Sequence, residues 1–145
     1  MKLENLYQEV ILDHHKNPCN FGILENADKT ANGRNPVCGD ELQIYLKMAG
    51  EVIKNIKFTS KSCAICTASA SLLTENILDK SVHEARTMFQ LTHDMLTEGK
   101  ADDSLGKLNV LKGVTNYPAR VKCATLAWHT LMAALEDSAE SVTTE

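Results

Sequence analysis

Lysine and arginine form no long run in this chain. Their total of 15 falls short of the 19 aspartates and glutamates, which leaves a formal net charge of -4. Nucleic-acid binders usually carry a clustered basic footprint, so no nucleic-acid partner is expected. Long apolar runs are missing too. Nothing approaches the roughly 18 consecutive apolar residues of a membrane span. The opening Met1-Lys2-Leu3-Glu4-Asn5-Leu6 is broken by polar and acidic residues and has no small-residue cleavage site. A secretory leader is therefore not expected there, and a cytoplasmic setting is. Internal repeats and low-complexity linkers are absent. The 145 residues suit a single domain over 1–145, with a polar tail from about Asp137. A chain of this length buries a real core and needs no disulfide staples.

What the sequence does have is five cysteines: Cys19, Cys38, Cys63, Cys66 and Cys123. In a reducing compartment, cysteines are more often metal-binding or catalytic than paired in disulfides. Their placement depends on the elements around them. Leu3, Leu6, Tyr7, Val10 and Ile11 share a helical stripe, which predicts a helix from about Leu3 to His15, closed by Asn17-Pro18. A loop-rich stretch follows, with room for a short strand near Asp28 to Asn32. Between Glu41 and Met48, the apolar Leu42, Ile44, Leu46 and Met48 alternate with polar or amphipathic residues, the period-two pattern of a strand. Ala49-Gly50-Glu51 turns the chain, and Val52 to Thr59 returns with Ile56 and Phe58 facing inward, an antiparallel hairpin.

The rest reads helical. Ala64 to Leu78 is one helix. Ser81 and Glu84 form a capping box for a second helix that runs to Glu98 and stops at Gly99. A shorter helical stretch from Asp103 is expected to end at Gly113. A last helix spans Ala119 to Glu136, and the tail beyond it is expected to fray. Strands before helices imply an α+β domain, a small antiparallel sheet with helices packed on one face.

Cys38, Cys63 and Cys123 fall at element boundaries, where rigid scaffolds build metal sites. Asp40 is two residues beyond Cys38, and Gly39 between them permits the tight bend that would let both reach one centre. Three thiolates and a carboxylate supply the four ligands zinc prefers, with the carboxylate the weaker and more exchangeable member. Such a set leaves excess negative charge. Arg34, Lys61, Arg120 and Lys122 are near it in sequence and are candidates to compensate. Each of these cysteines taken alone reads first as a buried structural residue, and only the set together favours a site. The spacing is too wide for a zinc ribbon.

Three strings carry a family resemblance. Asn35-Pro36-Val37-Cys38-Gly39-Asp40 resembles the N-P-x-C-G-D motif of iron–sulfur assembly proteins of the IscU/NifU N-terminal-like family. Cys63-Ala64-Ile65 with Thr67-Ala68-Ser69-Ala70-Ser71 resembles their second cysteine motif. Pro118 to Trp128, around Cys123, resembles the third, in the form of the SufU branch. The segment from Leu6 to Pro18 is similar as well. Lys122 stands where the scaffold branch has histidine, and the stretch between Cys63 and Cys123 is longer than in that branch. The resemblance implies a SufE/NifU-like fold and zinc held by Cys38, Asp40, Cys63 and Cys123. It also implies sulfur accepted on Cys38 from a cysteine desulfurase of the SufS type, with downstream Suf assembly proteins as further partners. Arg120 would lie near the zinc and help switch its coordination. The activity that the resemblance implies is that of a sulfurtransferase-like acceptor. The alternative is a scaffold holding iron or a transient iron–sulfur cluster on the same cysteines.

The chain departs from the pattern at Cys66, where the family carries serine, at Lys61-Ser62, where it has a glycine, and at Cys19. Cys63-Ala64-Ile65-Cys66 becomes a C-x-x-C without the βαβ context of a redox motif; a fifth metal ligand or a resolving thiol are the alternatives for Cys66, which reads first as a Ser-like packing residue. His14, His15, His83 and His93 read as surface residues. His129 is six positions past Cys123, a poor register for a shared site. Trp128 reads as core.

Overall fold

The computed structural model describes residues 3–137 and 141–144. The side chains of Leu3, Leu6 and Tyr7 lie outside the described residues. Helix α1 (Leu3–Lys16) leads to strand β1 (Lys29–Asn35) and the hairpin β2 (Asp40–Ala49) and β3 (Val52–Lys61). Then come α2 (Ala64–Ile77), α3 (Val82–Glu98), a 3-10 segment (Asp103–Asn116), α4 (Pro118–Leu135) and a short β4 (Val142–Thr143). The sheet order is β3-β2-β1-β4; β1, β2 and β3 pair antiparallel, and β4 joins β1 in parallel.

The alternation in the hairpin sorts its faces. Leu42, Ile44 and Leu46 of β2 and Ile56 and Phe58 of β3 are buried, while Glu41 and Lys61 face out. Asp40 has the same parity as Leu42, so its carboxylate enters the buried side. The helices cover that side. In α2 an unbroken run from Cys66 to Thr74 is buried. Its small residues let other elements approach closely, and Ser69 Oγ donates to the Ala124 carbonyl of α4 at 2.6 Å. That bond ties α2 to α4 one residue from Cys123. On the other flank, a Cβ at Gly33 would collide with Thr130 Oγ1, so only glycine lets α4 lie this close to β1.

Three expectations change. The segment from Asp103 continues past Gly113 to Asn116 as 3-10 turns, with Leu105, Leu108, Leu111 and Val114 buried. Burial at i, i+3, i+6 and i+9 suits three residues per turn, which explains why an α-helical reading ended it early. Part of the tail is ordered: Val142 and Thr143 pair with Gly33 and Arg34. His14 is no surface residue, being only 7% exposed, because α1 lays it against Ser71 of α2.

Candidate metal centre

The β1–β2 turn delivers the first two donors. Asn35 is buried, and its Oδ1 accepts the Val37 N–H at 3.2 Å, which shapes the turn. Gly39 then takes φ +73°, a left-handed conformation that suits glycine, and returns the chain to Asp40. Cys38 is left exposed at the tip. The third donor, Cys63, is the N-cap of α2, and its sulfur accepts the Cys66 N–H at 3.4 Å. The fourth, Cys123, is in the second turn of α4, buried at 3% exposure.

Donor atoms of Cys38, Asp40 and Cys123 all lie within 4.8 Å of one another. Cys63 falls outside that group and touches it through Asp40: its N–H donates to Oδ1 at 2.9 Å and its thiol to Oδ2 at 3.7 Å. Cys38, Cys63, Cys123 and Arg120 line one cleft of about 750 Å³, whose α1 wall includes Ile11 and Leu12. Arg120 stacks its guanidinium over the Tyr117 ring, 4.9 Å from the centroid, a cation–π contact at the rim. Arg34 and Lys61 do not compensate this cluster. They line a groove on the outer face of the sheet with Glu41 between them, because their strand parity is opposite to that of Asp40.

The electrostatics favour a cation. Asp40 is 1% exposed, and no ion pair among the described residues involves it. A buried carboxylate is costly unless a charge or several donors answer it, and Cys63 supplies only part of that. The Cys123 thiol is pushed up, first by burial and then by its hydrogen bond to Asp40 and the nearby Cys63. Crowded acids of this kind relax when a divalent ion replaces their protons. Three sulfurs and one oxygen suit zinc in softness and number, and the residues therefore fit that metal.

Residues 6–140 match the family described as NifU-like N terminal domain. The chain belongs to that family. Within the NifU-like group, it is 41% identical over 131 residues to the zinc-dependent sulfurtransferase SufU of Bacillus subtilis, covering 89% of this chain and 88% of that protein. It is 36% identical over 142 residues to the iron–sulfur cluster assembly scaffold protein IscU of Streptococcus pyogenes, covering 97% and 89%. A crystal structure of a putative iron–sulfur cluster assembly scaffold protein for the SUF system from Fervidobacterium islandicum superposes with a TM-score of 0.85 at 37% identity, covering 92% of this chain and 99% of that one. The NifU-like fold explains why the cysteines converge: the sheet presents one loop, and the starts of two helices are tied beside it.

Cys66 belongs to the core rather than the cleft. It is fully buried, and burial pushes its thiol up to about 12. Sequence reasoning missed a second cluster, formed by His14, Cys19 and Glu75, whose donor atoms also lie within 4.8 Å of one another. His14 and Cys19 are five residues apart across Asn17-Pro18, a visible signal. Glu75 is remote in sequence and gave none.

Proposed function

We propose that this protein is a zinc-bound sulfur acceptor that takes persulfide sulfur from a cysteine desulfurase for iron–sulfur cluster assembly. Cys38, Asp40, Cys63 and Cys123 hold the metal, and Cys38 is the acceptor. The observation that carries this reading is the exposed Cys38 beside the buried Asp40 and Cys123, with donor atoms within 4.8 Å of one another. The similarity to the zinc-dependent sulfurtransferase SufU supports it. Bound zinc would hold the sulfurs as thiolates at neutral pH.

The chain's own residues define the transfer. Cys38 sits on a turn, whereas Cys123 is fixed on a buried helix, so Cys38 can move with the least disturbance. Its thiolate attacks the outer sulfur of a cysteine persulfide on the desulfurase. A new S–S bond forms at Cys38, the old one breaks, and the desulfurase cysteine leaves as a thiolate. No oxidant is consumed. Arg120 at the rim assists as the site opens. The rim also carries exposed Leu12, Val37 and Tyr117, apolar surface suited to a protein partner. A desulfurase of the SufS type, downstream Suf assembly proteins, a cytoplasmic setting and a single domain over 1–145 complete the proposal. No helix among the described residues is long and apolar enough to cross a membrane.

The scaffold reading, with a transient cluster on the same cysteines, draws on the IscU relatives. One experiment separates the two. Desulfurase charged with persulfide is mixed with the zinc-loaded protein for a single turnover, and the added sulfur is mapped by mass. Sulfur on Cys38, lost in Cys38→Ala, supports the acceptor. Sulfur only on Cys63 or Cys123, or none together with a stable reconstituted cluster, overturns it.

A further inference from the structure

Twelve residues beyond Cys63, about 18 Å along α2, a second set of metal-ligating side chains converges. His14 comes from the end of α1, Cys19 from the loop after Pro18, and Glu75 from α2. His14 is 7% exposed, and its Nε2 lies 3.4 Å from Glu75 Oε1. Cys19 is half-buried and Glu75 is exposed, so an ion can enter from solvent.

Ser71 organises the cluster. Its Oγ lies 2.7 Å from His14 Nδ1 and accepts the Cys19 N–H at 2.8 Å. A hydrogen on Nδ1 donated to Ser71 Oγ leaves Nε2 with a lone pair. A metal-bound histidine has this form, one ring nitrogen donating to an oxygen and the other facing the metal.

Distances agree. Two nitrogen or oxygen ligands on tetrahedral zinc stand about 3.3 Å apart, and a sulfur and a nitrogen about 3.5 Å. The His14–Glu75 separation of 3.4 Å already matches such an edge. The sulfur, within 4.8 Å of both, closes at most about 1.3 Å to reach such an edge. We propose that His14, Cys19 and Glu75 form a second binding site for zinc, with three protein ligands and one open position. The site clamps the end of α1 to α2. Because Ile11 and Leu12 of α1 also wall the cleft around Cys38, its occupancy steadies the wall that a partner meets.

The test is a zinc titration against a colorimetric chelator, starting from protein already holding one equivalent. The wild type takes up a second equivalent. Cys19→Ser and Glu75→Gln each weaken that second equivalent at least tenfold and keep the first. Cobalt added to the zinc-loaded wild type gives a thiolate-to-cobalt charge-transfer band that Cys19→Ser lacks. Asp40→Ala loses the first equivalent yet keeps the Cys19-dependent one, so failure of either site is seen separately. A wild type that stops at one equivalent, or a second equivalent unchanged in both Cys19→Ser and Glu75→Gln, overturns the proposal and leaves His14 and Glu75 as an ion pair only.

Discussion

Asp40 takes two hydrogen bonds from one residue, Cys63: the backbone N–H on Oδ1 at 2.9 Å and the thiol on Oδ2 at 3.7 Å. One side chain thereby fixes the start of α2 against the start of β2 and brings a buried negative charge to the sulfurs. The two roles separate by substitution. In metal-free protein, Asp40→Asn keeps an acceptor for the Cys63 N–H and removes the uncompensated charge, so its stability equals or exceeds the wild type. Asp40→Ala strands that N–H and costs about 1–3 kcal/mol. Both variants release zinc to a chelator faster than the wild type. Denaturant unfolding in chelator checks the first statement, and equal losses in the two variants contradict it.

Cys66 is buried whereas Cys38 is exposed, although both lie close to the centre. With its thiol at about 12, roughly one Cys66 in 100,000 is a thiolate at neutral pH. Iodoacetamide applied to native, metal-free protein should label Cys38 and spare Cys66, while unfolded protein labels both. Cys66→Ser should keep zinc and sulfur acceptance. Loss of either would mean that the C-x-x-C has a chemical role.

Gly33→Ala tests how the last helix is held. The added methyl meets Thr130 Oγ1 and comes within 3.1 Å of Leu126 Cδ1, so α4 must move off β1. Overpacking of this kind costs about 1–3 kcal/mol. Because α4 carries Cys123, zinc retention should fall with the melting temperature. Adding Thr130→Ala should recover part of the loss. Thermal melts of the four chains in the cycle decide it, and full additivity refutes the contact.

His129 makes the fold sensitive to acid. It packs edge-on to Phe89, with ring centroids 5.2 Å apart, and burial followed by repulsion from His93 holds its pKa below the ordinary 6.5. A group whose folded pKa is depressed takes up its proton first in the unfolded state. Its contribution is therefore intact above 6.5 and declines as pH falls below that value. His129→Gln should flatten this part of the stability–pH curve, measured by denaturant unfolding in chelator. An unchanged slope would count against it.

The sequence by itself determined most of the elements, though not the full 3-10 segment or β4, and the candidate donors of the first centre. Alternation from Leu42 to Met48, the Ser81/Glu84 capping box and the Asn35-to-Asp40 string are local patterns, and their physics is complete within a few residues. The capping box forms as read, with Glu84 and Ser81 bonding reciprocally. Charge compensation was not legible. Arg34 is close to Cys38 along the chain, yet strand parity sends it to the opposite face. The burial of His14 was not legible either. Its neighbours in sequence are polar, and the residue that holds it, Ser71, is 57 positions away. Donor identity is written in residue type. Which donors meet depends on how α2 packs against α1 and α4, and contacts of that range are decided only when the whole core closes.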